Sequence, residues 1–167
     1  MSPAAPTPNP HHPTPTRHVV AALDEIPPGG RKIVEVAGRS IGVFNLGGEF
    51  FALRNRCPHQ GAPLCEGCVW GALESSRPGE FRYSRGGEIL ACIWHGWEFD
   101  IRTGQSWCDP SKLRVKRYEV EVEPGTAVVD PVPGPDAPVP GMVKGPYVAE
   151  SYPVTREGEY LVIEITP

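Results

Sequence analysis

Between residues 18 and 54 the chain is cut into short apolar runs, at 19–21, 32–36, 40–45 and 49–54, by Pro27-Pro28-Gly29-Gly30, Gly38-Arg39 and Gly47-Gly48. Proline cannot donate into a ladder, and glycine supplies the backbone angles of tight turns. Runs this short between such signals read as strands joined by turns. The fold class expected is all-β, an antiparallel meander.

Residues 1–17 are expected to form a disordered Pro-rich tail. Their Pro, Thr, Ala and His residues, His11-His12 among them, bury too little apolar surface to offset the entropy of ordering. Residues 18–167 are expected as a single domain, since a chain of 167 residues is long enough to bury one core without disulfide staples. Within it, 123–146 holds seven of the 21 prolines and reads as a Pro/Gly-rich excursion. Residues 147–154 and 160–165 read as a closing hairpin that packs on the rest, because a lone hairpin is marginally stable. The polar stretches 75–80 and 84–87 bracket Phe81-Arg82-Tyr83 and suggest a loop excursion with one hairpin. Leu113, Val115, Tyr118, Val120 and Val122 mark a long strand whose alternation slips after Val115, as at a bulge.

With 16 Lys and Arg against 20 Asp and Glu, the net charge of −4 gives no overall field for nucleic acid. No run approaches the ~18 apolar residues that span a bilayer, and the N-terminal residues lack an apolar signal core. No transmembrane segment is expected, and the cytoplasm is the expected compartment. Five cysteines, an odd number without an export signal, favour reduced thiols or metal ligands over a disulfide framework.

Chemistry concentrates in Cys57-Pro58-His59 and Cys92-Ile93-Trp94-His95. Beyond residue 18 these runs hold every histidine. Each run follows a strand-like segment, at 50–53 and 88–91, and each continues into glycine, at Gly61 and Gly96. The loops 55–68 and 92–110 therefore fall on connections between antiparallel strands, where they can converge on one site while the strands hold their spacing. Glycine there lets the backbone fold close around an inorganic core, with N–H groups free to point at sulfur. Cys65-Glu66-Gly67-Cys68 leaves other readings open. It could join Cys57 and Cys92 in a four-thiolate zinc or iron site, act as a redox dithiol, or pack as small residues beside the centre. Cys108 reads as structural.

The run from Cys57 to Leu64, Cys-Pro-His-Gln-Gly-Ala-Pro-Leu, with Cys92-Ile93-Trp94-His95-Gly96-Trp97-Glu98-Phe99-Asp100, resembles the Rieske iron–sulfur family in its bacterial, oxygenase-related and ferredoxin-like branch. The resemblance is strongest over 49–105 and weaker over 18–122. It implies a [2Fe–2S] cluster with Cys57 and Cys92 on one iron and His59 and His95 on the other, through Nδ1. It also implies a Rieske-like antiparallel β barrel or sandwich with a small cluster-binding subdomain. A core held by two thiolates and two neutral imidazoles is formally neutral when oxidised and singly negative when reduced, so it accepts an electron more readily than an all-cysteine cluster. The free nitrogen of each imidazole couples reduction to protonation. Ala62 and Trp94 stand where respiratory members place two further cysteines, so the bridge over the cluster should be absent. Trp97 and Phe99 occupy the stretch where those members carry hydroxyl donors. Fewer hydrogen bonds to sulfur imply a lower potential than in the respiratory group. Ile93 replaces a proline common among oxygenase-like members, and the segment between the runs is longer than usual, as from an insertion.

A one-electron centre without a second metal site implies an electron carrier with no independent catalytic site. Its expected partners are a reductase and a terminal oxygenase. The alternatives are a small accessory subunit of a reductase, nitrite reductase-like, and a structural zinc-binding interaction module. Trp70, Trp94, Trp97 and Trp107 read as apolar cover for the centre, with Trp94 the residue placed to touch a partner. Lys112, Arg114 and Lys116 read as a solvated basic stripe, with docking of an acidic redox partner as the alternative.

Overall fold

The computed structural model describes residues 16–108, 111–127 and 158–165. They form strands β1 (Thr16–Ala22), β2 (Arg31–Val36), β3 (Arg39–Leu46), β4 (Glu49–Arg54), β5 (Cys68–Arg77), β6 (Glu80–Ala91), β7 (Glu98–Asp100), β8 (Arg117–Tyr118), β9 (Val120–Pro124) and β10 (Glu159–Ile165). Two single-turn 3-10 helices, Leu23–Glu25 and Leu64–Glu66, complete the described elements. Three antiparallel sheets result, in the orders β1-β10-β9, β2-β3-β4-β8 and β5-β6-β7. The all-β expectation holds. Among the described residues no helix is long and apolar enough to cross a membrane.

The middle of the four-stranded sheet is buried on both faces, which is why 41–45 reads as a nearly continuous apolar run. Side chains alternate across a strand. Ile41 and Val43 of β3 with Ala52 of β4 face a core completed by Ala21, Tyr118, Leu161, Ile163 and Ile165, so this sheet and the β1-β10-β9 sheet form a sandwich-like base. On the opposite face, Phe44 and Leu53 meet Leu64, Cys65, Leu90, Phe99 and Ile101, joining the β5-β6-β7 sheet to the base as a smaller subdomain. Gly42 lies on that second face because nothing larger fits. A Cβ there would come within 2.6 Å of both Cβ and Sγ of Cys65.

Four expectations change. Strand pairing starts at Thr16, two residues inside the expected tail, because Thr16 and Arg17 continue the ladder against Ile165 and Glu164 and Arg17 forms ion pairs with Glu121 and Glu123. The hairpin expected of 160–165 with 147–154 is replaced: both edges of β10 are taken, by β1 and by β9, while 147–154 lies outside the described residues. The one hairpin expected between the ligand runs is present, but it is longer than a loop excursion, a ribbon of β5 and β6 paired from Cys68 and Ala91 to Arg77 and Glu80. The expected long strand over 113–122 is divided, β8 pairing with β4 and β9 with β10, so the slip in alternation marks a change of sheet across Glu119 rather than a bulge.

Candidate metal centre

Both ligand runs fold into the same turn. In the first, the Cys57 N–H donates to the Ala62 carbonyl and the Gly61 N–H returns to the Cys57 carbonyl, each at 2.8 Å. In the second, Cys92 N–H donates to Trp97 O and Gly96 N–H to Cys92 O, each at 2.9 Å. Gly61 and Gly96 occupy equivalent places, with φ of 83° and 67°, a left-handed region that side chains with a Cβ avoid. The sequence already shows this equivalence, since each glycine falls four residues after its cysteine, although the histidine falls two residues after the cysteine in one turn and three after it in the other.

The turns are held side by side by the segment that links them. Asn55 accepts the Cys65 N–H at 2.7 Å, fixing the chain after the first turn. Gly67 then passes so close to the end of β6 that a Cβ would sit 1.9 Å from the carbonyl oxygen of Ala91, the residue before Cys92. Below the second turn, β7 ends at the buried Asp100, which accepts a hydrogen bond from Arg85 and another from the Thr103 N–H at 2.9 Å. Burial works against ionisation of Asp100, yet these bonds outweigh it and hold the carboxyl below its ordinary range.

All four expected residues converge. The rings of His59 and His95 lie 4.8 Å apart between centroids, edge to face, and the Cys92 thiol lies close enough to Cys57 to act on it. Cys57 and Cys92 are buried, His59 is half-buried and His95 is exposed. Burial pushes the Cys57 thiol above its ordinary range, and the Cys92 thiol adds to the shift. The N–H groups of His59 and Gln60, directed at the same sulfur, oppose it only in part. A thiol in this setting becomes a thiolate only with a cation beside it. His59 Nδ1 is buried without a hydrogen-bond partner, a cost that a metal bond to that atom would remove. The donor set therefore fits two metal ions in sulfur–nitrogen surroundings.

Two thiols and two imidazoles make two pairs of donors. A [2Fe–2S] core asks for two protein donors per iron. Cys65 and Cys68 do not extend the set. Cys65 lies in the core with its sulfur toward the Leu53 carbonyl, and burial pushes its thiol up to about 12. Cys68 is exposed at the start of β5. The packed reading fits Cys65 and not the exposed Cys68.

Trp97 does more than cover the site. Its ring stacks on His59 at 4.1 Å between centroids and 6° between planes, locking the imidazole orientation. Trp94 meets His95 edge-on at 6.4 Å while remaining 55% exposed. Trp70 reaches away from the centre, donating to Glu98 at 3.0 Å and so tying β5 to β7. The stacking of Trp97 had no signal in the sequence beyond its place after Gly96, because ring orientation depends on the neighbouring turn.

The fold and the paired turns define an iron–sulfur protein, and comparison with known proteins agrees. The Rieske [2Fe-2S] domain family matches residues 16–119, and the chain belongs to that family and carries its [2Fe–2S] cluster. It is 30% identical over 109 residues to the biphenyl dioxygenase ferredoxin subunit of Pseudomonas sp. (strain KKS102), covering 65% of this chain and 86% of that one. It is 31% identical over 110 residues to the 3-phenylpropionate/cinnamic acid dioxygenase ferredoxin subunit of Photorhabdus laumondii, covering 66% and 90%. Among solved structures, the ferredoxin of carbazole 1,9a-dioxygenase from Nocardioides aromaticivorans IC177 is 29% identical, with a TM-score of 0.49 over 65% of this chain and 88% of that one.

Proposed function

We propose that this protein is the ferredoxin component of an oxygenase system, a cytoplasmic one-electron carrier that takes an electron from a reductase and delivers it to a terminal oxygenase. In this reading Cys57 and Cys92 hold one iron and His59 and His95 the other. The cluster supplies a one-electron couple at a potential raised by its two imidazole ligands. The chain's own residues do the rest. Cys57 and Cys92 keep the sulfur side within the core, the N–H groups of His59 and Gln60 support negative charge on sulfur, and Trp97 fixes the His59 ring. His95 presents an exposed imidazole edge, the shortest covalent route from such a centre to solvent.

The observation that carries this reading is the pair of matched turns, which brings two buried thiols and two imidazoles together with one buried imidazole nitrogen unpartnered. Support for the ferredoxin role comes from the two relatives, each described as a ferredoxin subunit of a dioxygenase and each matched over most of its length. Electron paramagnetic resonance of the dithionite-reduced protein tests the ligand set. A rhombic signal with a low average g value and strongly coupled nitrogens is expected, and absence of nitrogen coupling would refute the assignment. His95→Cys should keep a cluster and lower the midpoint on the order of 100 mV; an unchanged midpoint would remove His95 from the ligands. Without hydroxyl donors in the second turn, the wild-type midpoint should lie below that of the respiratory Rieske proteins. A strongly positive value would overturn that expectation.

A further inference from the structure

A groove of about 490 Å3 runs beside the first turn, with His59 and Gln60 along one wall and Arg54, Arg56, Arg114 and Lys116 around it. Among the described residues no acidic side chain lines it. The four cations come from two segments brought together by the Arg54 N–H, which donates to Lys116 O at 2.8 Å and extends the β4-β8 pairing toward the centre. Arg56 lies across the first turn, its Nε 3.5 Å from the place a Cβ would take at Gly61.

Elsewhere, basic side chains are largely matched with carboxylates. Arg17, Lys32, Arg82, Arg85, Arg102 and Arg117 each pair with a carboxylate. The groove cations take part in none of these pairs. Arg114 donates to the neutral Gln105 at 2.7 Å, and Lys116 lies over the Tyr118 ring at 5.3 Å. A molecule with net charge −4 thus gathers around the ring of one expected ligand four cations without carboxylate partners among the described residues. Charge left unmatched at a site of electron exit is complementary to an opposite charge on the molecule that docks there, and it sets encounter rate and orientation.

We propose that this groove is the docking face for an acidic protein surface, which it seats beside the paired His59 and His95 rings for electron transfer. The inference rests on the carrier reading above and specifies the chemistry of the partner. It also runs against the sign of the net charge, which favours basic partners, so the two can be separated by experiment.

The dithionite-reduced holoprotein, freed of excess reductant, is mixed by stopped flow with either of two oxidised acceptors: a blue-copper protein with an acidic face, or a cytochrome c whose haem edge is ringed by lysines. The acidic acceptor should be reduced faster at about 0.01 M salt and slow roughly tenfold by about 0.1 M, with no comparable fall for the cytochrome. Arg56→Glu with Lys116→Glu should reverse the preference, Arg54→Gln with Arg114→Gln should weaken it, and Arg82→Glu on the distant ribbon should leave it unchanged. The visible spectrum of each variant reports that the centre is intact. Preference for the cytochrome at low salt, or equal behaviour of the groove variants and Arg82→Glu, would overturn the proposal. Selective inhibition by inorganic phosphate, at ionic strength matched with chloride, would make the groove a small-anion site and overturn it too. Reoxidation by uncharged benzoquinone reads electron release separately. Its failure would strike the carrier reading, whereas its success without the salt dependence would strike the docking face alone.

Discussion

Asp100 is the side chain through which the second turn is anchored, and replacing it with asparagine tests that claim quantitatively. Asp100→Asn keeps the shape and an acceptor for the Thr103 N–H but removes the charge that faces Arg85. The pair lies between two regimes, with the carboxylate 8% exposed and the guanidinium 30% exposed. Exposed ion pairs contribute about 0.2–1 kcal/mol, and removing one partner of a buried pair costs about 3–5 kcal/mol. Arg85 retains Glu88 at 2.9 Å, which softens the loss, so about 2 kcal/mol is expected. In a domain of this size that corresponds to a midpoint lowered by about 4–8 °C. Thermal and urea unfolding of wild type, Asp100→Asn, Arg85→Met and the double variant would measure it, with a coupling of about 1–2 kcal/mol expected between the sites. Because the folded Asp100 titrates below its ordinary range, its contribution is complete above the unfolded carboxylate value near pH 4 and is lost only as pH falls through the lower folded value. The difference between wild type and Asp100→Asn should therefore stay flat from about pH 5.5 to about pH 8. A loss below about 0.5 kcal/mol, additive energies, or a difference that drifts across that range would refute the reasoning.

Two further outcomes follow from the packing of Cys65. Gly42→Ala should cost about 2–3 kcal/mol by driving a methyl group into the Cys65 side chain, and Cys65→Gly in the same chain should be less harmful than the sum of the two single changes; additive losses in urea unfolding would contradict this contact. Iodoacetamide labelling resolved by peptide mass spectrometry should modify the exposed Cys68 of the folded holoprotein while Cys65 reacts more than about a hundredfold more slowly. Equal labelling would restore the redox-dithiol reading.

What could be read from the chain before its structure depended on whether the signal was local. The strands at 32–36, 40–45 and 49–54 were legible because turn glycines bound each one and their neighbours in sequence are their partners in space. The ligand runs were legible for the same reason, as each sits where a strand ends. The β5-β6 ribbon was legible as a hairpin but not in its length: eight of the ten β5 residues and five of the twelve in β6 are exposed, so little alternation between core and solvent exists to be recognised. The place of β10 was hidden differently, since its partners β1 and β9 lie far away in sequence and only the closing of the base selects them. The groove cations share this property. Arg56 and Lys116 are remote in the chain, and it is the Arg54 to Lys116 backbone bond that makes them neighbours.

The two-faced sheet of β3 and β4 bears on what loss of the cluster disturbs. The core beneath it, from Ile41 and Val43 to Leu161 and Ile163, contains none of Cys57, His59, Cys92 or His95, while both cysteines belong to the core above. The lower core therefore draws none of its contacts from the cluster ligands, and loss of the cluster strikes first at the upper core, where both cysteines sit.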